Sequence, residues 1–204
     1  MAGAVLAAIV LTILLPTGVL LGPRWLLPLI EAVLLVVVVA GDPVRISRRS
    51  RELRTVSIVL VSVLVLATLW STVLLIDDLI HGGPETNSAS DLLAAGTAVW
   101  FSNIIAFALL YWELDGGGAA SRAHELAGHA DFAFPQHLNP TLASPHWRPR
   151  FVDYLYLGYT NATAFSPTDV MPLAPWAKLT MVIQSFISIA ILGLVIARAV
   201  NIFT

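Results

Sequence analysis

The chain has 204 residues, 57% of them hydrophobic and 12% charged, and a net charge of -2 that offers a nucleic acid no basic surface. A mean hydropathy of +0.83 excludes a soluble domain of this length. With no cysteine, disulfides and thiolate metal sites are excluded as well, while the compartment stays open.

Each helical span of a bilayer core about 30 Å thick needs about 20 largely apolar residues. Residues 5–21 and 25–40 form the first two apolar runs, both short, and only Gly22-Pro23-Arg24 separates them, which predicts a tight helical hairpin. No basic segment precedes the first run, so a cleaved signal peptide is not expected. Glu31 stands in the second run, where an ionised group costs about 2.5–3.5 kcal/mol at helix centre. It is either an intramembrane acid with a function or the partner of a polar group such as Ser102 or Asn103 on the fourth run.

Loop 42–54 carries five arginines, which the positive-inside rule assigns to the cytoplasm together with the N-terminus. The third run, 56–76, leads into loop 77–91, which has four acids, one histidine and no Lys or Arg, as the far side requires. After the fourth run, 92–112, the long connection 113–150 returns with Arg122, Arg148 and Arg150, so that five and three of the eleven basic residues fall on one side. This connection is broken by Gly116-Gly-Gly118 and four prolines and predicts an irregular loop with a short helix near 119–130. Glu113 and Asp115, beside Trp112, read as part of an interfacial belt. His124 and His129 invite a zinc-protease reading, but five residues of separation put them about 140° apart on a helix, so no metal site is expected.

Residues 151–166 predict a helix of about 24 Å, too short for a comfortable span, that Pro167 ends. Its first half is aromatic, with Phe151, Tyr154, Tyr156 and Tyr159, and its second half is polar, with Thr160, Asn161, Thr163 and Ser166. Two readings stand side by side: a short re-entrant helix beside five transmembrane helices, or a sixth full span. A last apolar run covers 176–203, on which Gln184 and Ser188 share a face with Ser185 beside them, suited to line a pore or to bond neighbouring helices.

Three stretches carry a resemblance. Asp153-Tyr-Leu-Tyr-Leu-Gly-Tyr-Thr-Asn-Ala-Thr163, then Asp169-Val-Met-Pro-Leu-Ala-Pro-Trp-Ala-Lys178, then a helix ending Val195-Ile-Ala-Arg-Ala-Val200 resemble the pore module of the potassium-channel superfamily. The chain also resembles an uncharacterised family of integral membrane proteins of actinobacterial type that share the Thr-Asn-Ala-Thr-Ala-Phe-Ser-Pro-Thr-Asp block. The channel resemblance implies an N-terminal helical region, 1–90, and a pore-module region, 91–204. Within the latter, 92–112 is the outer helix, 151–166 the pore helix, 167–175 the filter-like turn and 176–203 the inner helix. It implies a filter built from Thr160, Asn161, Thr163, Phe165, Ser166, Thr168 and Asp169, an inner pore faced by Gln184 and Ser188, and a homo-oligomer, tetrameric if channel-like, passing monovalent cations.

The filter departs from that family. Where Thr-x-Gly-Tyr-Gly-Asp is expected, the chain reads Thr163-Ala-Phe-Ser-Pro-Thr-Asp169, without glycine, and Pro167 resists the inward-turned carbonyls that select potassium. Potassium channels also insert the pore loop from outside, whereas the arginines place loop 113–150 inside. Either the charge rule fails, or the loop enters from the cytoplasm as in the inverted pores of glutamate receptors, or the segment spans fully.

The expected protein is therefore an all-α, multi-pass protein of the cell membrane whose first partner is the lipid bilayer. Its leading function is a pore-loop, weakly selective cation channel; the competing one is a non-conducting scaffold or accessory subunit that retains channel architecture. A transporter coupled through Glu31 lacks a visible internal repeat. No nucleophile with a base and no phosphate-binding glycine loop supports an enzyme or a cofactor.

Overall fold

A computed structural model describes residues 2–20, 22–41, 51–82, 88–123, 129–139, 141, 143–144, 147–166 and 169–203. The protein is all-α and 81% helical. Its helices are α1 (Ala2–Leu14), α2 (Leu26–Gly41), α3 (Arg51–His81), α4 (Ala89–Leu114), α5 (Ala119–Ala123), α6 (Pro135–Leu138), α7 (Phe151–Ala164) and α8 (Pro175–Phe203). Two-residue strands β1 (Phe132–Ala133) and β2 (Met171–Pro172) pair antiparallel, with Phe132 opposite Pro172.

Within α3, α4 and α8 the chain is long and apolar enough to cross a membrane, and α1 and α2 are shorter apolar helices. These lengths and compositions make it a membrane-associated protein. The first apolar run does not continue as helix to residue 21. Pro16 has no N–H and disfavours helical geometry at Leu15, so α1 stops at Leu14 and a short 3-10 turn, Thr17–Val19, follows. Leu15, Val19 and Leu20 stay buried in the core, and the Arg24 guanidinium donates to the carbonyls of Ile13 and Leu15 at 3.3 and 3.4 Å, satisfying the open end of α1.

α4 is the hub, packed against α1, α3, α7 and α8. Two glycines let its neighbours close in. A Cβ on Gly96 of α4 would stand 2.8 Å from Val195 Cγ2 of α8, and one on Gly158 of α7 would stand 3.1 Å from the Ile104 carbonyl of α4.

Arginines gather at one end of the bundle. Arg54, near the start of α3, lies beside Gly118, just past the end of α4, since its Nε is 3.9 Å from where a Gly118 Cβ would be. Arg122 reaches the Trp112 carbonyl at 2.8 Å and Arg148 reaches the Arg122 carbonyl at 3.4 Å, so Arg54, Arg122 and Arg148 gather at this end. An open cavity of about 760 Å³ lies there among Trp112, Arg122, Trp147, Arg148 and Arg150, the mixture of aromatic and basic groups found at a membrane interface. At the other end Arg198 of α8 sits against Gly82, just past α3.

Candidate functional site

The start of α7 is fixed twice. The Arg150 amide donates to Asp153 Oδ2 at 2.6 Å, which holds an acid in the first turn where the helix dipole favours it. The second anchor is Asp115, 2% exposed at the end of α4. Its Oδ1 accepts from the Asp131 and Phe132 amides at 2.9 and 3.2 Å, its Oδ2 accepts from the Tyr154 hydroxyl, and Arg122 donates to its carbonyl. Asp115 is therefore a buried knot joining α4, β1 and α7, and Glu113 beside it is buried as well.

Phe132, held by that knot, meets Tyr111 in the last turn of α4, Tyr154 in the first turn of α7 and Trp176 in the first turn of α8, with ring centroids 5.2, 6.5 and 5.6 Å away. The end of α4 and the starts of α7 and α8 thus share one level, the arginine-rich end. From there α7 runs 14 residues, about 21 Å, against the 26 residues or about 39 Å of α4. It stops near the middle of α4, where Tyr159 faces Trp100 at 6.2 Å.

Phe165 ends α7 in the left-handed region at φ 57, and by Met171 the chain is back at the level from which α7 set out, paired with β1. The amides of Leu173 and Ala174 bond the Asp131 carbonyl at 2.8 and 3.4 Å, closing the return. α7 and the chain behind it form a hairpin that enters and leaves at one end of the bundle.

Inside the hairpin a polar network ties α7 to its neighbours. Gln184 Oε1 accepts from the Tyr111 hydroxyl and from Asn161 Nδ2, both at 2.7 Å, and Gln184 Nε2 donates to the Gly158 carbonyl at 2.9 Å. Asn161 Nδ2 also reaches the Met181 carbonyl at 3.0 Å, and its Oδ1 accepts from Ser185 at 3.1 Å. One turn further along α8, Ser188 accepts from Asn103 Nδ2 at 2.9 Å. Gln184, Ser188, Asn161 and Asn103 are all fully buried within the protomer.

The residues expected to form a filter therefore divide. Thr160 and Asn161 are buried, the first bonding back to the Tyr156 carbonyl at 3.0 Å. Thr163 is half-buried and bonds back to the Tyr159 carbonyl at 2.9 Å. Phe165 and Ser166 are exposed at the tip, Asp169 is exposed on the return two residues before β2, and Thr168 lies outside the described residues. Gln184 and Ser188 face the interior of the protomer and bond neighbouring helices; neither lies on an outer surface where a pore between subunits would run.

Tyr111 and Gly158 belong to this assembly and carry no signal of their own in the sequence, while Asn103, expected as a partner of Glu31, joins it. The one legible hint is that polar groups recur among apolar residues in all three helices, at Asn103, Asn161 and Gln184. Glu31 is far from this network: it is buried on α2 with Thr12 Oγ1 of α1 at 3.5 Å, and Asn103, one of its expected partners, is turned to Ser188 instead. Among the described residues no group of three His, Cys, Asp or Glu could hold a metal, and His124 lies outside them. No family model, curated protein or solved structure matches the chain.

Proposed function

We propose that this chain is a multi-pass protein of the cell membrane, with crossings at α1, α2, α3, α4 and α8 and with α7 as a re-entrant half-helix, and that copies of it assemble around the α7 tip into a channel-like path for monovalent cations. The observation that carries this reading is the exposed end of α7 at Phe165 and Ser166, which the length of α7 puts near the middle of α4, with Asp169 exposed on the way back. Non-helical polar backbone at that depth is tolerated only against protein or a water-filled cavity, and a second copy of the chain supplies both. The bonded start of α7 and the paired return make the hairpin resemble the pore module named above. The missing filter glycines make such a path weakly selective.

In this reading the hairpin enters from the arginine-rich end, which the positive-inside rule places in the cytoplasm. That agrees with the inverted arrangement among the three alternatives and departs from the polarity of potassium channels. α1 and α2 are shorter than a full span, and the chain after α1, with Leu15, Val19 and Leu20 buried, adds the length that the first crossing lacks.

A second reading, a non-conducting scaffold with channel architecture, rests on α8. Beyond Lys178 in its first turns, its exposed positions Leu179, Val182, Phe186 and Ile189 are apolar, and its polar side chains Gln184 and Ser188 are consumed inside the protomer. Recordings from purified oligomer in planar bilayers separate the two. A cation current whose conductance or reversal potential changes in Asp169→Asn or Thr163→Ala supports the channel; silence under sodium, potassium and chloride gradients supports the scaffold.

A further inference from the structure

A second polar site lies in the bundle of α1 to α4, away from the hairpin. Glu31 on α2 is fully buried, and its Oε2 has no hydrogen-bond partner. Its Oε1 is 3.5 Å from Thr12 Oγ1, but that hydroxyl has one proton and a better acceptor in the Ala8 carbonyl at 3.0 Å. The carboxyl group is thus enclosed with almost no donor of its own. Ser102 on α4 is also buried, and its Oγ has no partner.

Both residues line one small cavity, together with Thr12 of α1 and Thr68 and Ser71 of α3. Its volume of about 10 Å³ admits about one water-sized occupant. Among the described residues no lysine, arginine or histidine lines it, and Glu31 is its one titratable residue. A carboxylate in such a place requires a counter-charge.

We infer that this cavity is a binding site for one small monovalent cation, held by the Glu31 carboxylate and by hydroxyl oxygens from α1, α3 and α4. A single carboxylate among neutral hydroxyls matches one positive charge, and oxygen is the donor that hard cations of this size take. Four helices contribute to the site, so occupancy couples the packing of α2 to that of α1, α3 and α4. The site takes nothing from α7, and it stands whether or not the hairpin conducts.

The test is carbodiimide labelling of Glu31, read by peptide mass spectrometry on the intact protein in detergent, with sodium, potassium or choline chloride at equal ionic strength. A bound cation excludes the reagent, which needs a protonated carboxyl. The expected result is labelling slowed about fivefold or more by sodium or potassium and not by choline, with Ser102→Ala raising the half-protecting concentration about tenfold. The unfolding midpoint rises with the same cation, and Glu31→Gln abolishes that rise. If Glu31→Gln does not fold, protection of the unaltered chain and the Ser102→Ala shift carry the test. Equal labelling in all three salts means that the carboxyl holds a proton alone and overturns the inference. So does a lack of labelling in any salt together with a midpoint that no cation moves.

Discussion

Single side chains in this protein are tested by what each leaves unpaired when it is removed. Gln184→Leu keeps much of the volume but strands the Tyr111 hydroxyl and breaks the bonds from Asn161 and to Gly158. A loss of about 1–3 kcal/mol in unfolding free energy is expected, and Tyr111→Phe added to it costs less than the two separate effects combined, because the pair shares one bond. Thermal or denaturant unfolding of the four proteins in detergent measures this; strict additivity would show that the network is not coupled. Asp115→Ala should cost about 2–4 kcal/mol and speed hydrogen exchange at the Asp131 and Phe132 amides. Asp115→Asn should cost less than half of that, since its carbonyl oxygen still accepts from both amides and Tyr154 can turn its hydroxyl to accept from the new NH2 group. The sequence marked Asn161, Gln184 and Ser188 as polar groups in apolar surroundings, and their chemistry was legible for that reason. Which way they face was not, because helical spacing puts Gln184 and Ser188 on one face without saying whether that face meets a neighbouring helix or an axis.

At the scale of elements, length and return separate a half-helix from a crossing. The apolar runs of the sequence located α2, α3, α4 and α8, since about 20 apolar residues leave few alternatives. The end of α1 was missed because a hydropathy run continues through Pro16 although the helical hydrogen bonding does not. The β1–β2 pair was beyond reach, because two-residue strands leave no periodic pattern and only the fold brings Phe132 to Pro172. That pair leads to a prediction about topology. The chain has no cysteine, so single cysteines report cleanly. Cysteine placed at Ser121 in α5 and at Leu173 after β2 should react with an impermeant maleimide from the same side of the membrane, and cysteine at Ser90 in the first turn of α4 from the opposite side. Labelling of positions 121 and 173 from opposite sides would make α7 a full crossing and remove the half-helix.

For the whole molecule the question is what covers the surface that one protomer leaves open. Much of that surface is apolar and suited to lipid: Leu66 and Val73 on α3, Leu93 on α4, and Phe186 of α8 at 72% exposure. The tip of α7 is not, for there the chain shows Ser166 beside Phe165, and the proposed topology puts them at a depth where lipid offers no hydrogen bonds. Among the described residues α4 and α8, the helices packed most closely on α7, are already committed, α4 through Gly158 and Tyr111 and α8 through Gln184 and Ser185. In the proposed assembly the cover for the tip comes from other copies. The protein extracted in mild detergent is expected to run as a closed oligomer by native mass spectrometry, and cysteine at Ser166 should cross-link protomers on oxidation, whereas cysteine at Leu66 on the outer face of α3 should not. Phe165→Arg, which adds like charges where several tips converge, should shift the preparation toward monomer while leaving helix content unchanged by circular dichroism. A monodisperse monomer in lipid nanodiscs, with Ser166→Cys uncrosslinked, would mean that the tip is solvated from within one chain, and a pore between subunits would have no place to form.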